Sequence, residues 1–93
     1  MARNRERAAR KTREVTLQRR AWIAGLKAKP CMDCRKLFPA VCMDFDHVRG
    51  QKLFQVSECR RSLEAILAEI AKCDLVCSNC HRIRHEMRRV TND

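Results

Sequence analysis

Apolar positions along the chain follow two spacings. Leu63, Ile66, Leu67, Ile70 and Ala71 recur at i, i+3, i+4, i+7 and i+8, the spacing that lines one face of a helix, and Ser62 stands where an N-cap belongs. This predicts a helix over 62–72. Residues 41–48 are β-prone and read as a strand, and Leu75 to Cys77 as a second, shorter one. From Ser78 onward the composition turns helical, with Ser78 or Asn79 as its cap. Near the start, Val15, Leu17, Ala21, Trp22, Ile23 and Leu26 are set among good helix formers, with no Gly or Pro before Gly25. The pattern predicts a helix from about Thr12 to Ala28, docked by Trp22 and Leu26, with a looser start and an end at Pro30. Residues 31–40 read as a turn and 49–52 as a loop with a glycine turn. Helices and strands in this order make an α+β chain without repeats.

Length and composition narrow the picture. The chain has 93 residues, room for one small domain and an appendage. A chain of this size buries only about 60–65 % of its unfolded surface. The aromatics are only Trp22, Phe38, Phe45 and Phe54, so a metal or covalent staple is expected to support the core. No apolar run approaches the roughly 18–20 residues that span a bilayer, which excludes a transmembrane protein.

The net charge of +10 is uneven. Residues 1–29 carry ten basic side chains against Glu6 and Glu14, a net +8. Residues 30–93 carry 11 basic and 9 acidic side chains, a net +2. The basic excess therefore belongs to an N-terminal arm. Such arms neutralise phosphates and release counterions on meeting nucleic acid. A membrane-surface helix fits less well, because the arm's apolar face is short.

The 7 cysteines are read as thiols, some of them metal-bound. The chain opens without the apolar core of a signal peptide, and an odd count suits a fully paired disulfide framework poorly. Both point to a reducing cytoplasm. Cys31-x2-Cys34 and Cys77-x2-Cys80 share one spacing, and such a turn aims both sulfurs at one ion about 2.3 Å away. Four thiolates make a closed tetrahedral zinc site, structural because no position is left for water. It would close a loop of 42 residues. Cys42, Cys59 and Cys73 sit beside apolar residues and read as small buried hydrophobes. A two-cysteine, two-histidine finger on Cys77, Cys80, His81 and His85 fails, because roughly twelve residues must separate its pairs.

The three histidines fall in two places. Asp46-His47 closes the first strand, while His81 and His85 lie four apart on one helix face. A carboxylate with one or two imidazoles is a divalent-metal set with positions to spare. A spare histidine beside an open metal site suggests hydrolysis, the imidazole activating water.

Met43-Asp44-Phe45-Asp46-His47-Val48-Arg49-Gly50-x-Lys52 followed by Cys73-Asp74-Leu75-Val76-Cys77-Ser78-Asn79-Cys80-His81-Arg82 closely resembles the HNH endonucleases. The resemblance is greatest to small phage and prophage members with a four-cysteine zinc site, and it covers about residues 31–85. It implies a ββα-metal (His-Me finger) fold, in which two strands and a helix clasp one catalytic metal. The chain would then be a basic arm over 1–29 and a nuclease domain over 30–93. The resemblance makes His47 the general base, Asp46 and His81 ligands of a catalytic Mg²⁺, Mn²⁺ or similar ion, and His85 a further ligand. It implies products with 5′-phosphate and 3′-hydroxyl ends. The family's base-orienting Asn falls on Asp74, a departure; Asp74 can still accept a bond from imidazole, or Asn79 takes the task.

The basic residues suit a DNA substrate: Arg13, Arg19 and Arg20 on the arm, Arg49 and Lys52 after His47, and Arg82, Arg84, Arg88 and Arg89 on the last helix. No set of side chains forms a base-reading code, so binding is expected to be mostly to the backbone. The alternative is a non-catalytic zinc-ribbon module that binds nucleic acid or serves phage assembly. Small phage nucleases of this type are often associated with terminase, so a packaging partner is also compatible, in the host cytoplasm if the chain is phage-encoded.

Overall fold

The computed structural model describes residues 2–58 and 60–92, with side chains over 10–58 and 60–91. Cys59, read above as a buried thiol, lies outside them. The elements are α1 (Ala2–Leu26), a 3₁₀ turn (Ala40–Cys42), β1 (Met43–His47), α2 (Leu63–Ile70), β2 (Cys73–Cys77) and α3 (Ser78–Asn92). The two strands form one antiparallel sheet, so the chain is α+β as expected. None of the described helices is long and apolar enough to cross a membrane.

Helix α1 is continuous from Ala2, where a looser start was expected. Ala, Arg and Glu dominate its first turns, and nothing there interrupts the hydrogen-bond ladder. It ends at Leu26, two residues early. Lys27 N–H donates to the Ile23 and Ala24 carbonyls and Ala28 N–H to Gly25, winding the chain into a turn before Pro30. At 25 residues it is about 37 Å long. Its C-terminal half is docked: Ile23 is buried, Trp22 and Leu26 half-buried. Arg19 also donates to the Arg61 carbonyl at 2.9 Å.

Strand β1 is shorter than expected because Pro39 starts a 3₁₀ turn, with Cys42 N–H donating to the Pro39 carbonyl. It ends at His47, since Val48 and Arg49 N–H both turn to the Lys72 carbonyl. Gly50 then takes φ +69, the left-handed region glycine tolerates best. Strand β2 begins two residues earlier than its apolar run, because Cys73 and Asp74 pair with His47 and Asp46. Ser62 caps α2 as expected, accepting from Ala65 N–H at 3.1 Å.

The buried face of α2 differs from its apolar stripe. Ile66 is fully buried, but Leu63 and Leu67 are exposed, and Glu69 is buried at 1 % exposure. Two small cores result. Ile23, Phe54, Val56 and Ile66 gather Trp22, Phe45 and Ile70 between α1, α2 and the sheet. Cys31, Met43, Val76 and Cys77 gather Phe38 and Leu75 under the first cysteine turn. Ile66 is the one fully buried apolar side chain that α2 gives the first core, so Ile66→Ala is expected to cost about 2–5 kcal/mol in urea unfolding. A loss below about 1 kcal/mol would show that α2 contributes little to it.

Candidate metal centre and histidine cleft

The four cysteines of the paired motifs converge. Their Sγ atoms all lie within 4.8 Å of one another, and no other His, Cys, Asp or Glu trio among the described residues is so close. The first pair sits in the turn after α1, where Arg35 N–H donates to the Cys31 carbonyl and Arg35 takes φ +66. The second pair spans the β2–α3 junction. Met32 N–H bonds the Leu75 carbonyl and ties the two together. Backbone N–H groups point at sulfur: Cys34 and Cys77 at Cys31 Sγ (3.5 and 3.3 Å), Cys80 at Cys77 Sγ (3.4 Å). Burial opposes ionisation of Cys31, but these N–H groups outweigh it and bring its thiol down to about 6. Hydrogen bonding to Cys77 and burial push the Cys80 thiol up to about 12. One thiolate among crowded thiols is what a cation stabilises. Four thiolates at zinc bond length would stand about 3.8 Å apart, so the cluster has the size and chemistry for that ion.

The predicted catalytic residues occupy both faces of the sheet. Asp46 pairs directly with Asp74, so both project to the face carrying α3, while His47 projects to the other. Asp74 therefore does not orient His47; its carboxylate takes Arg49 at 2.5 Å and Arg84 at 3.0 Å. Asn79 is exposed on the first turn of α3. His47 Nε2 instead meets Glu69 Oε2 at 2.9 Å. Lys72 holds the Glu69 carboxyl down at about 2 against the opposing effect of burial, helped by His47 and the Leu53 N–H.

His81 lies between two carboxylates. Its Nδ1 is 3.0 Å from Asp44 Oδ2, and its Nε2 is 3.5 Å from Asp46 Oδ1. His85 lies beside it, ring centroids 4.9 Å apart, but is exposed. Asp46 is only 3 % exposed. Burial alone would raise its carboxyl, but the Arg88 and Arg84 guanidiniums bring it to about 2. The expected set of Asp46, His81 and His85 is thus brought together in part: Asp46 and His81 approach, and His85 remains at the rim.

Several basic residues expected on DNA have partners inside the protein. Arg84 forks onto Asp33 at 2.7 Å through both nitrogens and also reaches Asp46 and Asp74. Arg88 binds both oxygens of Asp46, and Arg49 adds the Ala71 and Cys73 carbonyls to its Asp74 pair. These three hold the sheet to its surroundings, because acidic side chains of β1, β2 and the cysteine turn face them. Arg82 and Arg13 are exposed on α3 and α1. A cleft of about 590 Å³ opens between α1, β1 and the 52–57 loop, lined by Arg20, Lys27, Lys52, Asp44, His47 and His81 among others.

Asp44, Glu69 and the cleft role of Lys27 escaped the sequence reading. Asp44 shares a strand face with Asp46, two residues on, which was a usable signal. Glu69 lies at i+3 from Ile66, a charged residue on a buried stripe, and buried charges are kept only where paired. Compared with protein-family models, curated proteins and solved structures, the chain finds no match.

Proposed function

We propose that the chain is a metal-dependent nuclease of the HNH type that hydrolyses DNA phosphodiester bonds, with a structural zinc on Cys31, Cys34, Cys77 and Cys80. The observation that carries this reading is the single cleft in which His47 and His81, each held by a carboxylate, face the cations Arg20, Lys27 and Lys52. The three cations would seat the phosphate backbone. His47 takes the proton of the attacking water, and the 3′-oxygen leaves. Asp46 and His81 would hold the divalent ion, which when bound supplies charge stabilisation at the phosphate. Asp44 serves that ligand role indirectly: a bond at Nδ1 fixes the His81 ring and leaves Nε2 for the metal, the usual arrangement of ligating histidines.

One observation favours the alternative, a zinc-stapled nucleic-acid-binding or phage-assembly module. Asp46 is already neutralised by Arg84 and Arg88, as a purely structural carboxylate would be. Supercoiled plasmid incubated with the zinc-loaded protein and Mg²⁺ or Mn²⁺ separates the two. The nuclease converts it to nicked or linear DNA; no conversion with any divalent ion leaves the module. Binding gives a second measurement. Replacing Arg20, Lys27 and Lys52 together by Ala is expected to flatten the plot of log K against log salt by roughly 0.9 per lost phosphate contact. Arg84→Ala, which removes an internal pair, should leave that slope unchanged. Equal slopes in the triple variant and the wild type would remove the cleft from the DNA path.

A further inference from the structure

We propose that Glu69 is a positioning residue for His47, locking the ring proton on Nε2 so that Nδ1 presents its lone pair to the cleft. This rests on the reading of His47 as the base and adds a residue from α2, an element that carries neither metal site.

Glu69 is buried, and each of its contacts brings a hydrogen: Lys72 Nζ at 2.5 Å on Oε1, and Leu53 N–H at 3.4 Å and His47 Nε2 at 2.9 Å on Oε2. An ionised carboxylate only accepts hydrogen bonds, so the hydrogen between Glu69 and His47 belongs to the ring. The ammonium of Lys72 keeps Glu69 ionised. A neutral imidazole with its hydrogen on Nε2 has its lone pair on Nδ1. That nitrogen has no partner among the described residues, and the ring lines the cleft. The helix that carries the carboxylate is anchored by Ile66 in the core, and Lys72 and the Leu53 N–H hold its oxygens. A carboxylate that fixes the tautomer of a base plays a recurrent part in hydrolytic sites, where its exchange for an amide selects the wrong tautomer.

The reasoning predicts what an amide would do here. In Glu69→Gln, Lys72 still requires an acceptor, and the charge-assisted bond takes the amide oxygen. The amide NH₂ then faces His47 Nε2 and turns it into an acceptor, which moves the ring proton to Nδ1. In Glu69→Gln combined with Lys72→Met, that competition is gone. The amide oxygen returns to His47 and Leu53, and the original tautomer returns with it.

Long-range ¹H–¹⁵N correlation of the ring nitrogens in the full zinc-loaded chain reads this directly, and with three histidines the spectrum is tractable. The expected result is an Nε2 proton on His47 in the wild type, an Nδ1 proton in Glu69→Gln, and Nε2 again in the double variant. Plasmid nicking should follow: kcat falls by up to roughly 10⁴-fold in Glu69→Gln with KM unchanged, and recovers in the double variant. The double variant guards against a fold defect, since it keeps the buried amide and restores only the ring contact. An Nδ1 proton in the wild type, or an unchanged ring and kcat in Glu69→Gln, overturns the proposal. A wild type with the expected ring signature but no nicking overturns the nuclease reading and leaves the positioning of His47 by Glu69 supported.

Discussion

Stripping zinc with a strong chelator is expected to abolish the cooperative thermal transition of this protein. The physical case rests on how much of the fold hangs on the cysteine cluster. Cys31 and Cys77 are themselves members of the second core, with Met43 and Val76, so the ion's ligands and the packing residues are the same side chains. The N-terminal cysteine turn is joined to β2 by the Met32–Leu75 bond, and both ends of a 42-residue loop meet there. Apparent zinc binding energies in small structural sites are about 10–16 kcal/mol. The whole stability of a domain is about 5–15 kcal/mol. Loss of the ion therefore exceeds the margin. Cys31→Ser and Cys77→Ser should behave like the chelated wild type, whereas Cys42→Ser should melt close to normal and retain its zinc. Metal analysis should give one tightly held zinc per chain. A chelated protein that melts at the temperature of the loaded one would show that the cysteines are ordinary core thiols.

His47→Ala is expected to lower nicking by roughly 10²–10⁴-fold while DNA binding and melting temperature stay close to wild type. The separation follows from the contacts of the ring. His47 makes one hydrogen bond, to Glu69, and that carboxylate keeps Lys72 and the Leu53 N–H when the ring is gone. Nothing charged is left unpaired, so the structural cost is small. The cations that would seat the phosphate belong to α1, the turn after it and the 52–57 loop, and are untouched. Plasmid conversion measures the first effect, gel shift and thermal melting the second. Equal nicking by the variant would take the base role from His47. Arg84→Ala is a useful contrast, because it strands Asp33, Asp46 and Asp74 together and should show its effect in stability.

Much of this molecule was legible in the order of its residues. Paired cysteines at one spacing announced the four-thiol cluster, because coordination needs specific atoms and a tight turn supplies two of them locally. Ser62 announced the start of α2 for the same reason: a cap bonds a backbone N–H three residues away. The helix of the arm and that of the C-terminus followed from local propensity. The strands were located but misjudged at their ends, since a strand extends as far as its partner does. Cys73 and Asp74 have no apolar signal of their own and became strand only opposite His47 and Asp46.

The pairing of charges was a different matter. Composition counts arginines and carboxylates but says nothing of which meet, because a salt bridge forms between residues that the fold brings within about 4 Å, however far apart in sequence. Arg84 and Arg88 looked like phosphate ligands and proved to clamp Asp46; Glu69 carried no reading from the sequence and proved to meet His47. Local chemistry along the chain was enough to mark the four-cysteine cluster, the helices and the candidate histidines. Only the packing of α1, α2 and α3 around the two-stranded sheet decided which cations line the cleft and which carboxylates meet His47 and His81.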